Sequence, residues 1–132
     1  MKILIIEDEF LIAEGVSLTL QSAGHAVTGI AEDLPTALAL AGQEKPDMAF
    51  VDIKLANGSN GLDVARALKA MGIACVFATG NPPNRAQAGG VGLGYIAKPF
   101  SPRVLVQTAA FVAGTLSPCA PSAAAPHGFV TL

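Results

Sequence analysis

Asp47-Met48-Ala49-Phe50-Val51-Asp52 is an apolar run too short for a globular helix, and it delivers a carboxylate at its far end. An acid closing a buried strand is ordinarily just the start of a loop. Three other runs, however, end the same way. Lys2-Ile3-Leu4-Ile5-Ile6 is closed by Glu7-Asp8-Glu9, Ile73-Ala74-Cys75-Val76-Phe77-Ala78 by Thr79, and Leu93-Gly94-Tyr95-Ile96-Ala97 by Lys98. Each run thus hands a reactive polar group to whatever lies beyond its carboxyl end.

Carboxylates gathered within a few ångströms repel one another, by about 4 kcal/mol for a pair roughly 4 Å apart at an effective dielectric near 20. A cation relieves that repulsion. With no His or Cys in the group, the ligand set selects a hard ion with oxygen ligands, and few protein ligands plus water suit Mg²⁺ better than Ca²⁺. Mg²⁺ beside a carboxylate, a lysine and a threonine hydroxyl makes a phosphoryl site, because metal and ammonium neutralise its oxygens and the hydroxyl donates to one. Asp52 is then the nucleophile, giving an aspartyl phosphate. Taken singly, Lys98 reads as a solvated lysine, Thr79 as a turn cap and Glu9 as an acid matched to a helix dipole. It is their joint occurrence that outweighs those readings.

The elements that must position these groups alternate in type. Phe10 to Ala23 carries Ile12, Val16 and Leu20 on one helical face, with Gly24 as a stop. His25 to Ala31 is strand-like, and Asp33-Leu34-Pro35 offers a cap and a first-turn proline for a helix running to about Glu44. After the Asp52 strand comes a loop from Ile53 to Gly61, then a helix with Leu62, Ala65 and Leu68 on one face, ended by Gly72. Between Thr79 and Tyr95 the glycines leave a helix-compatible scrap only from about Pro82 to Ala88, so a fourth helix is expected to be short or disordered. A last helix starts at Ser101-Pro102 and reaches about Leu116.

Strands alternating with helices predict an α/β fold, a doubly wound parallel sheet with helices on both faces. Ligands bind such sheets beyond the carboxyl ends of the strands. Glu7, Asp8, Asp52, Thr79 and Lys98 are all expected there, converging in one crevice.

With that set in order, residues 1 to 116 resemble a bacterial response-regulator receiver domain, the CheY-like module of two-component signalling. The resemblance implies a flavodoxin-like, five-stranded parallel sheet of order 2-1-3-4-5. It makes Glu7 and Asp8 the acidic pair, Asp52 the phosphoacceptor, Thr79 the switch hydroxyl, Tyr95 the switch aromatic and Lys98 the lysine before a cis Pro99. It also implies Mg²⁺ held by Asp8, Asp52 and the backbone carbonyl of Lys54, with Glu7 acting through water. Phe77-Ala78-Thr79-Gly80 is similar to the start of the "FAT GUY" subgroup, although Asn81-Pro82 breaks the rest of that signature. Two further departures are Ala56, where many members have proline, and Gly61, one residue late. Thr79 and Lys98 are also unusually close in sequence.

Other readings fit less well. A haloacid-dehalogenase-like aspartyl-phosphate phosphatase would want an Asp at the position of Lys54, and the acids at 7–9 would repel a flavin phosphate. A receiver fold used only for docking, without phosphorylation, would have no need of the intact acid, Thr and Lys set.

Net charge is −2, which offers no basic field for nucleic acid or an anionic membrane, and the apolar run near Met1 is too short for a signal peptide or a span. A cytoplasmic protein is expected, not an enzyme in the ordinary sense but a phosphoacceptor. Cys75 and Cys119 lie in environments too different to pair. Residues 117–132 read as a low-complexity, disordered tail, too short for a DNA-binding domain. The expected protein is therefore a single-domain regulator, with a histidine kinase or histidine phosphotransfer protein upstream and a protein target downstream. Apolar residues make up 52% of the chain and charged residues only 14%, which points to association. The last helix is the candidate surface for a homodimer or partner, since Val104, Leu105, Val106, Ala109, Phe111, Val112 and Leu116 wrap more than one stripe. The competing reading is that the C-terminal tail shelters this helix.

Overall fold

A computed structural model describes residues 1–81, 83–116 and 125–132. Elements alternate in the order β1 (Lys2–Ile6), α1 (Phe10–Ser22), β2 (Ala26–Ala31), α2 (Leu34–Gln43), β3 (Met48–Val51), α3 (Gly61–Ala70), β4 (Ala74–Thr79), α4 (Arg85–Ala88), β5 (Gly94–Ala97), α5 (Pro102–Leu116) and β6 (Phe129–Thr131). The strand order is β2-β1-β3-β4-β5-β6. The first five are parallel throughout, as expected.

Two-sided burial explains why the strands are continuous apolar runs. Successive side chains point to opposite faces, so Ile3 and Ile5 join Val16, Leu20, Phe50, Leu105 and Val112 under α1 and α5. Leu4 and Ile6 join Val51, Phe77, Val64 and Leu68 under α2 and α3. The helices begin where the sequence supplies caps. Asp33 accepts from the Thr36 N–H at 3.0 Å, with Pro35 in the first turn, and Asn60 accepts from Leu62 N–H at 2.7 Å.

α4 is a single turn, capped by Asn84. It is short, as the glycines require, and starts later than Pro82. Arg66 and Lys69 of α3 reach across to the carbonyls of Gln87 and Gly90, tying the turn and the chain after it to the neighbouring helix.

The C-terminal stretch corrects the sequence reading. Residues 117–124 lie outside the described residues, but Phe129–Thr131 forms β6, which pairs antiparallel with β5. The sheet is therefore six-stranded rather than five-stranded. The Pro- and Ala-rich stretch around 118–126 dominated the composition, whereas Phe129-Val130-Thr131 is aromatic and β-branched and finds an otherwise open sheet edge.

Candidate functional site

Glu7, Asp8, Asp52, Thr79 and Lys98 stand at or just beyond the carboxyl ends of their strands. Ladder hydrogen bonds align these ends: Glu7 N–H donates to Ala31 O (2.8 Å), Asp52 N–H to Ile6 O (2.9 Å) and Lys98 N–H to Thr79 O (2.9 Å). β1 and β3 end side by side, Ile6 beside Val51 and Val51 beside Phe77, while β4 and β5 run two positions further, to Thr79 and Ala97, and the Glu7, Asp52 and Lys98 side chains meet in one crevice. The Lys98–Pro99 bond is cis, as anticipated.

Within the crevice, Lys98 Nζ donates to Asp52 Oδ2 at 3.0 Å and also to Glu7 Oε1, so one ammonium bridges two carboxylates. Glu7, Asp52 and Thr79 are buried and Asp8 is exposed. The second Glu7 oxygen accepts from Glu9 N–H at 3.2 Å. Asp52 Oδ1 accepts only a long contact, 3.4 Å, from Lys54 N–H. Thr79 Oγ1 accepts from Asn81 N–H at 3.2 Å, which ties the hydroxyl to the turn leading toward α4.

The electrostatics follow from burial. Burial pushes the Glu7 carboxyl up to about 7, opposed by its hydrogen bonds to Lys98 and the Glu9 amide and reinforced by the nearby Asp52 charge. For Lys98, burial works against the charged form, but the hydrogen bonds and charges of Glu7 and Asp52 prevail and raise it. The ammonium is thus held firmly charged.

Glu7, Asp8 and Asp52 each offer a carboxylate oxygen within 4.8 Å of the others, the one such acid, histidine or cysteine cluster among the described residues. Three carboxylates with no nitrogen or sulfur donor fit a hard divalent cation such as Mg²⁺. A larger cleft of about 670 Å³ lies elsewhere, between α5 and Pro126-His127, and has no such chemistry.

Tyr95 is half-buried in the middle of β5, paired with Phe77 on one side and Val130 on the other, two strand positions from the Lys98 end. Gly61, noted from sequence as coming one residue late, packs directly on the backbone of Asp52 and Ile53. A Cβ there would lie 2.0 Å from the Asp52 carbonyl oxygen. Its N–H donates to Ile53 O at 2.8 Å, closing the loop just beyond Asp52. The only sequence signal was an Asn-Gly pair opening a helix.

A doubly wound parallel sheet with acids, a threonine and a lysine converging at its carboxyl edge defines a class, and the comparisons agree. The chain belongs to the response regulator receiver domain family, whose family model matches residues 3–110. It is 38% identical over 104 residues to the phyllosphere-induced regulator PhyR of Methylorubrum extorquens, covering 76% of this chain and 39% of that protein. It is likewise 38% identical over 111 residues to the phosphate regulon transcriptional regulatory protein PhoB of Pseudomonas aeruginosa, covering 79% and 48%. Among solved structures, the signal receiver domain of a modulated diguanylate cyclase from Desulfovibrio desulfuricans superposes with a TM-score of 0.79 at 28% identity, covering 87% of this chain and 94% of that one. The chain spans two fifths to half the length of these two curated relatives. Among the described residues, no helix is long and apolar enough to cross a membrane.

Proposed function

We propose that Asp52 accepts a phosphoryl group from the phosphohistidine of a kinase or phosphotransfer protein, and that the protein, acting in the cytoplasm, signals through protein contacts. The observation that carries this reading is the Lys98 ammonium bridging Asp52 and Glu7, in a crevice that also holds Asp8, with Thr79 closing the neighbouring strand. An Asp52 carboxylate oxygen attacks phosphorus, and the P–N bond to the donor imidazole breaks. Its electron pair stays on nitrogen, and an acyl phosphate forms. Oδ1, with only its long contact to Lys54 N–H, is the freer oxygen for attack.

Lys98 already lies against Asp52 Oδ2, so it is placed to hold a phosphoryl oxygen once the transfer has spread negative charge over the group. The Thr79 hydroxyl, now accepting from Asn81 N–H, has its own proton to give. Such a donation draws the 79–81 turn toward the crevice and lets Tyr95 settle inward, which makes Thr79 and Tyr95 the switch pair. Mg²⁺ would be held by Asp8, Asp52 and the Lys54 carbonyl, with Glu7 through water, and would neutralise phosphoryl oxygens. The phosphoryl group stays on the protein, so the role is that of an acceptor rather than a turnover enzyme.

The test is treatment with a small phosphodonor with and without Mg²⁺, read by intact mass. Wild type gains one phosphoryl group only with Mg²⁺, and Asp52→Asn gains none. A gain in Asp52→Asn equal to wild type would overturn the reading.

A further inference from the structure

β6 is three residues long, yet the molecule is shaped to receive it. Antiparallel pairing sets Ile96 against Phe129, Tyr95 against Val130 and Gly94 against Thr131, and the Leu132 N–H continues the ladder to Leu93 O at 3.2 Å. The Phe129 ring packs 5.4 Å, centroid to centroid, from Phe111 of α5 at a tilt of 55°. It can do so because residue 94 lacks a side chain: a Cβ there would lie 2.3 Å from Phe129 Cζ and 2.3 Å from the Val130 carbonyl oxygen. Phe129 is 9% exposed and belongs to the same apolar cluster as Val112, Leu105 and Ile96. Gly128, at φ 99°, supports the sharp entry into the strand beside Val104.

A free sheet edge with an aromatic pocket beside it is the arrangement that recognises extended peptides, with backbone pairing giving affinity and the pocket giving selectivity. Here the ligand is covalently attached, so its effective concentration keeps the groove filled. We propose that the β5 edge and the adjoining face of α5 form a strand-docking site for a Gly-Phe-Val segment. In the isolated chain its own residues 128–131 fill the site, and the same residues of a second copy can fill it in trans. The second copy is the fitting occupant because it carries the one segment whose match to the groove is visible: Phe129 over Gly94 and against Phe111. Val130 lies directly beside Tyr95, so whichever strand docks also borders that aromatic. The site stands apart from the carboxylate crevice, and its existence does not depend on phosphoryl transfer to Asp52.

Two full-length variants separate groove from strand. Phe129→Asp disables the strand and leaves the groove intact, whereas Gly94→Val blocks the groove and leaves the strand intact. A synthetic peptide of residues 125–132 is titrated to millimolar concentration while backbone amides are followed by NMR. Shifts are expected at residues 94–96 and at Phe111 in Phe129→Asp, but not in wild type, whose groove is filled, and not in Gly94→Val. When the two variants are mixed, Gly94→Val should produce the same shifts in labelled Phe129→Asp as the peptide does. Absence of shifts in Phe129→Asp, or equal shifts in both variants, would overturn the proposal. So would Val130 and Thr131 amides that stay protected from exchange in Gly94→Val, since the strand would then dock without the pocket.

Discussion

Glu7 is under opposing demands: it is buried at a strand end beside a second carboxylate, and its charge is offset by the Lys98 ammonium and the Glu9 N–H. Its carboxyl is raised to about 7 from an ordinary value of 4.5. Folding therefore favours the protonated form, and the associated stability is full below the unfolded value and lost as pH rises through about 7. Metal-free protein should lose thermal stability between those two values. Glu7→Gln should flatten the loss and raise the midpoint above pH 7, by an amount on the order of 1 kcal/mol or several degrees. Thermal melts in chelator across that range would check both, and an unchanged slope in Glu7→Gln would contradict this account of Glu7. Gly61 allows an equally direct check. A methyl group 2.0 Å from the Asp52 carbonyl oxygen forces the loop or the strand end to move. Gly61→Ala should destabilise by roughly 1–3 kcal/mol and slow Asp52 modification, read by denaturant titration and by phosphodonor kinetics.

At the scale of elements, α4 is where the structure is least supported. It has one turn, one buried side chain (Ala88) and glycines at 89, 90 and 92 that each cost about 1 kcal/mol relative to alanine in a helix. Its ties to the body include the reach of Arg66 and Lys69 to the Gln87 and Gly90 carbonyls. Segments of this kind open at low free energy and are those from which switching parts are drawn. Amides over residues 84–94 should therefore exchange quickly in metal-free protein and more slowly with Mg²⁺ and beryllofluoride, a phosphoryl mimic. Lys69→Ala should quicken the metal-free exchange further without changing that of β1 or β3. Slow exchange in both states would place the switch elsewhere.

The first five strands and four longer helices were legible in the sequence because each carries its own period and its own stop, as with Ile12, Val16 and Leu20 before Gly24. The shortness of α4 was legible for the same reason, since glycine acts locally. β6 was not, because three residues cannot outweigh a Pro- and Ala-rich neighbourhood until the open β5 edge and the space over Gly94 are seen together.

For the molecule as a whole, the crevice trades folding stability for charge, and that trade predicts a response to metal. Glu7, Asp8 and Asp52 each offer an oxygen within 4.8 Å of the others, so millimolar Mg²⁺ should raise the unfolding midpoint by binding the folded state preferentially. Asp8→Asn should raise the metal-free midpoint and blunt the Mg²⁺ response. A wild-type midpoint indifferent to Mg²⁺ would argue against the metal site. Convergence of the site could be read from sequence because four apolar runs each end in a polar group, and a parallel sheet brings such ends to one edge. The direct Lys98–Glu7 bond and the contact of Gly61 with the Asp52 backbone could not, since both depend on the distances at which the strand ends and the loop are set.

If Asp52 is the acceptor, one of its carboxylate oxygens carries the phosphorus. Borohydride reduces an aspartyl phosphate, but not a free aspartate, to homoserine, so it marks the residue that held the group. After treatment with a phosphodonor and Mg²⁺, reduction and digestion, mass spectrometry should find homoserine at position 52, and none there when the phosphodonor is omitted. Homoserine at position 8, 47 or 63 instead, or no homoserine while intact mass shows a phosphoryl group gained, would contradict it.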